Sequence, residues 1–112
     1  MTTPQWGYER PECRGSFALS LFLDDMDRLV THYAAKTENL EVRQFQAQAA
    51  ANKLVQAYQK NARGTQAFIH QSIEIRSVID DAGRVQFVPI FSSGLKACLM
   101  ELLKRSNKTH LH

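Results

Sequence analysis

The sequence is short of glycine, cysteine and long apolar runs, and each shortage closes off a class of function. Five glycines scattered singly among 112 residues leave no glycine-rich loop able to wrap backbone N–H groups around a phosphate, and neither a zinc-ligand spacing nor a nucleophile elbow is present. Two cysteines, Cys13 and Cys98, make a poor disulfide framework. The first falls in an N-terminal arm, and the second sits on the apolar stripe of a helix, where it reads as a buried, inert thiol. No apolar stretch approaches the roughly eighteen residues that a membrane span needs, and the opening residues lack the basic-then-apolar order of a secretory leader. The expectation is a cytoplasmic, non-enzymatic protein with no cofactor and no membrane contact.

What the chain does contain is enough apolar material for one modest core. Hydrophobic residues make up 44% of it, and no Pro/Gly/Ser-rich tract interrupts it as a linker would. A domain of this size buries a little under about 70% of its unfolded surface, so a subunit interface would add usefully to its stability. Formal net charge is +3, unevenly spread. Residues 1–41 hold four basic and seven acidic side chains, a net of −3, whereas residues 42–112 hold ten basic and four acidic, a net of +6. A basic half suits an acidic protein surface or nucleic acid.

Periodicity predicts the elements. Leu19, Phe22, Met26, Leu29, Val30 and Tyr33 step by three and four, the stripe of one long helix that Ser16 would cap. The competing pattern, Phe17, Leu19, Leu21 and Leu23 at period two, would make a third strand. Residues 39–62 form the strongest helix, with no internal Gly or Pro, Gly64 just beyond, and Ala47, Ala51, Leu54, Val55, Tyr58 and Ala62 on one face. Between Gln71 and Phe91 two β-rich runs meet at Asp80-Asp81-Ala82-Gly83. Ile69, Ile73, Ile75 and Ile79 alternate with His70, Ser72, Glu74, Arg76 and Val78, and Pro89 marks an edge or an exit, with the return strand expected to end there. A last helix begins at Ser92 or Ser93 and carries Leu95, Cys98, Leu99, Leu102 and Leu103 on one side. The fold expected is α+β: a single domain over residues 16–106 in the order helix, helix, β-hairpin, helix, with the helices covering one face of a short antiparallel hairpin or small sheet. An extended arm precedes it at 1–15, and a frayed tail follows at 107–112.

An isolated hairpin is marginal in water and needs helices or another strand beside it. That need points to binding as the function, with another protein as partner and a homodimer as the natural assembly. The polar hairpin residues His70, Glu74 and Arg76 and the arm aromatics Trp6 and Tyr8 are the expected contacts. The alternative is a nucleic-acid-binding regulator whose phosphate contacts come from Lys53, Lys60, Arg63, Arg76, Arg84, Lys96, Lys104, Arg105 and Lys108. Asp24, Asp25 and Asp27 read as a solvated helix face or cap, Asp80 and Asp81 as turn residues, and His110 with His112 as exposed tail lacking a third metal ligand.

Overall fold

The computed structural model describes residues 6–36 and 39–110, the side chains of 106–110 excepted. The three-four stripe prevails over the period-two pattern, and residues 15–34 form a single helix, α1 (Gly15–Ala34), which buries Leu19, Phe22, Met26 and Leu29. Leucine and alanine favour this outcome, and no glycine or proline interrupts the run. Helix α2 (Leu40–Asn61) starts where Asn39 caps it, the Asn39 side chain accepting the Glu41 N–H at 2.8 Å. Its small-residue face is buried as expected, with Ala47 and Ala51 wholly enclosed and Ala62 half-buried. Strands β1 (Ile73–Ile79) and β2 (Val85–Phe91) pair antiparallel from Ile73↔Phe91 to Ile79↔Val85, and α3 (Ser93–His110) closes the chain. The architecture is therefore α+β, in the order helix, helix, hairpin, helix.

The core gathers where α1, α2 and the inner face of the hairpin meet. Phe22 lies at its centre, with ring centroids 5.1 Å from Tyr58, 5.1 Å from Phe68 and 6.1 Å from Phe91, mostly edge to face. Such pairs add about 0.5–1.5 kcal/mol each beyond the burial of their area. Phe68 belongs to the connection after α2. That connection is tied to the start of α1 by a bridge in which Gly15 donates to the Arg63 carbonyl at 2.6 Å and Arg63 donates to the Cys13 carbonyl at 3.2 Å.

Several details depart from the sequence reading. The arm is no extended strap throughout, because a 3-10 turn at Gly7–Glu9 folds it onto the helices. Cys13 is buried while Cys98 is only half-buried, the reverse of the expected order. Ser16 does not cap α1, which begins after an extended Arg14 with no side-chain cap. At α3 the Ser92 hydroxyl donates to Gln71 at 2.6 Å, and the same Gln71 oxygen takes the Leu95 N–H at 3.1 Å, so a glutamine supplies the cap. Leu103 is exposed, and the helical backbone runs on past residue 106 to His110. Strand β2 also continues through Pro89 to Phe91. Its partner Ile75 sends its own N–H to Gln48 on α2, so Ile75 and Pro89 form a pair without a cross-strand hydrogen bond, and no donor is needed from the proline.

Candidate functional site

The hairpin edges decide which surfaces are left for binding. Along β1, Gln48 of α2 accepts the Ile75 N–H at 2.8 Å and donates to the Ile73 carbonyl at 2.8 Å, while Gln44 donates to the Ile75 carbonyl at 3.1 Å. Two side-chain amides thus do for β1 what a third strand would do. The outer edge of β2 carries Pro89 at its middle, which removes a donor from any strand that might add there. Both edges are blunted, so the hairpin is closed along β1 by side chains of its own chain and discouraged from pairing along β2.

The outer face of the hairpin is one surface left uncovered; Phe17 on α1 and Val42 and Phe45 on α2 are exposed elsewhere. Cross-strand neighbours place Glu74 beside Ile90, Arg76 beside Val88 and Val78 beside Gln86 on this face. Val78, Val88 and Ile90 are exposed there, and Glu74 and Arg76 form an ion pair along β1. The helices lie on the other face, where Ile73, Ile75 and Phe87 are buried. Ile79 belongs to the inner face, yet it overhangs at the tip and is 68% exposed. Two expected members leave the row. His70 and Ile69 sit in a turn ahead of β1, His70 with a left-handed φ of 58°, so His70 does not stand with Glu74 and Arg76. The tip itself is tightly drawn. Asp80 Oδ1 accepts the N–H groups of Ala82 at 3.0 Å and Arg84 at 2.9 Å, and Gly83 takes a φ of 79°. The Arg84 hydrogen bond above all holds the Asp80 carboxyl below the usual aspartate range.

A second surface forms on the opposite side. The arm docks because Asp25, four per cent exposed, accepts the Gly7 N–H at 2.7 Å and the Tyr58 hydroxyl at 2.6 Å, with Arg28 at 3.4 Å. Burial first, and then the hydrogen bond to Asp25, push the Tyr58 phenol far above its ordinary value. Gly7 permits this close approach, since a Cβ there would lie 2.5 Å from the Tyr58 oxygen and 2.9 Å from Asp25 Oδ2. Asp25 is therefore no solvated carboxylate, although its neighbours Asp24 and Asp27 are exposed. Its place three residues after Phe22 and four before Leu29, on the apolar stripe, was the signal in the sequence. The docked arm brings Trp6 and Tyr8 to a groove of about 540 Å³ between α1 and α2, shared with Arg28, His32, Tyr33 and Lys53.

The basic residues do not form one surface. Arg84 lies at the hairpin tip, toward the N-terminal end of α2, whereas Lys60 and Arg63 lie at and beyond its C-terminal end. The 22 residues of α2 separate these ends by roughly 33 Å. Lys53 is in the groove, Lys96, Lys104 and Arg105 are exposed on α3, and the side chain of Lys108 lies outside the described residues. His112 lies outside them as well, as does the side chain of His110. Among the described residues no three His, Cys, Asp or Glu side chains stand close enough to hold a metal ion, and no helix is long and apolar enough to cross a membrane. No family model matches the chain, and neither a curated protein nor a solved structure does.

Proposed function

We propose that the protein is a non-enzymatic accessory or regulatory module, acting by protein–protein binding through the outer face of its hairpin, with a second copy of this chain as the simplest partner. The observation that carries this reading is the exposed apolar set Val78, Val88 and Ile90 on a sheet face that no helix covers. Charge favours a copy of the same surface. The face holds Glu74 and Arg76 side by side, so a two-fold partner brings each carboxylate to a guanidinium and each guanidinium to a carboxylate. Seven residues per strand give a footprint of roughly 24 Å by 10 Å before side chains are counted. That is about 240 Å² per partner, smaller than the roughly 800 Å² of a standard specific interface, so the dimer expected is a weak one. The setting in this reading is the reducing cytoplasm, which suits two free cysteines.

Light scattering across about 1 to 300 μM tests the proposal. The mass of about 12.8 kDa should double within this range, and Val88→Glu should hold the protein monomeric without altering its far-UV circular dichroism. A strict monomer at every concentration would refute the self-association reading.

A further inference from the structure

The groove beside the arm has a composition that the hairpin reading leaves unused. Its floor is apolar, formed by Leu29, Ala50 and Leu54, and Ala50 is the small residue that leaves it open. Aromatic rings make its walls. Trp6 and Tyr8 lie nearly parallel, within 10° and 6.5 Å apart, and across from them His32 meets Tyr33 edge to face at 4.9 Å. Among the described residues the charges lining it are of one sign, those of Arg28 and Lys53, with no carboxylate between them. Lys36 stands 4.8 Å over the Tyr33 ring and extends the positive potential along α1.

The two cations differ in a useful way. The Arg28 guanidinium is already fixed, 4.4 Å from the centroid of Trp6 and within reach of Asp25. Lys53 is exposed and, among the described residues, has no hydrogen-bond or ion-pair partner. A volume of about 540 Å³ is within the range of small-molecule sites, which combine apolar walls with a few placed polar groups. We infer that this groove binds a small planar aromatic anion, its ring against the aromatic walls and its acid group between Arg28 and Lys53. The attraction has two physical parts. Ring contact desolvates the apolar floor, and a charge-assisted hydrogen bond to each cation acts next to low-dielectric walls.

Trp6 is the only tryptophan in the chain, so its indole N–H in ¹⁵N-labelled protein reports directly on the groove. Titration with 2-naphthoate should move that resonance saturably, and the neutral isostere 2-naphthamide should bind more than about tenfold more weakly, because it lacks the charge that both cations contact. Adenosine monophosphate in a parallel arm distinguishes a phosphate from a carboxylate as the preferred acid group. Lys53→Gln should weaken naphthoate about tenfold while leaving naphthamide binding and the melting temperature unchanged. Ala50→Phe should abolish both by filling the floor. Equal affinity for naphthoate and naphthamide, or a Lys53→Gln variant that binds naphthoate as the parent does, would overturn the inference. An indole resonance that no probe moves at millimolar concentration would overturn it equally.

Discussion

The cluster where the arm meets α1 and α2 around Asp25 and Phe22 differs from the outer face of the hairpin, and from the outer side of α3, in how completely each satisfies its own groups. In the first a buried carboxylate has three donors, and three aromatic rings, Tyr58, Phe68 and Phe91, pack around Phe22. On the second, Val78, Val88, Ile90, Met100 and Leu103 face solvent. A single chain of this length closes one good core. Apolar surface left after that core is complete is where a partner gains most, whereas the packed side contributes stability.

Substitution should make the contrast measurable. Phe22→Ala on the packed side removes the ring at the centre of the cluster and should cost about 3–5 kcal/mol, lowering the melting temperature by about 12 °C or more. Val88→Ala on the open face should cost less than about 0.5 kcal/mol in the monomer. Comparable losses from the two would remove the distinction. Leu99→Ala lies between them, since α3 buries Leu95 and Leu99 against the body but exposes Met100 and Leu103. The expected cost is about 2–3 kcal/mol, toward the lower end for a buried leucine.

Tyr58→Phe probes the polar anchor of the packed side without changing its shape. Asp25 loses a donor at 2.6 Å but keeps Gly7, so the chemical-denaturation midpoint should report a loss of about 1–3 kcal/mol. Trp6 fluorescence should shift to the red as the arm loosens. An unshifted spectrum would mean that the arm is held without the Tyr58 hydroxyl.

The open side has a test of its own symmetry. If the face pairs with a copy of itself, Glu74→Lys and Arg76→Glu should each weaken the dimer, and mixing the two variants should restore it, because each supplies the charges that the other lacks. Weakening without restoration would mean that the two residues act through the strand and not across an interface.

The smallest effect belongs to the hairpin tip. The Asp80 carboxyl is held below its ordinary value in the folded chain, so its contribution is present above the unfolded aspartate value of about 3.9 and is lost as pH falls through the lower folded one. Amide exchange at Ala82 and Arg84 should accelerate over that acid window, and Asp80→Asn should remove the pH dependence. Because the group is fully exposed, global stability should scarcely move.

Much of the architecture could be read directly from the residues. The stripe from Leu19 to Leu29, the run of residues 39–62 without Gly or Pro and the Asp-Asp-Ala-Gly turn are local signals, each carried by neighbours within a few positions, and each became the expected element. The misreadings share one cause. Asp25 resembled its exposed neighbours until Gly7 and Tyr58 reached it from 18 and 33 positions away. Pro89 read as a strand end because a ladder was assumed to need its donor, and His70 was counted into a face that begins three residues later. Gln44 and Gln48 carry no signal in the sequence that sets them apart from the other glutamines of α2, yet they close the edge of β1.

The sequence by itself determined where helix and strand form, since hydrophobic period, capping residues and turn chemistry act over one or two turns of chain. Only the tertiary structure decided which polar groups are buried, which strand edges are closed, and that the arm folds back to line a groove. Those outcomes depend on donors and acceptors that meet across long separations, and a buried polar group is tolerated only where its partners arrive in the same place.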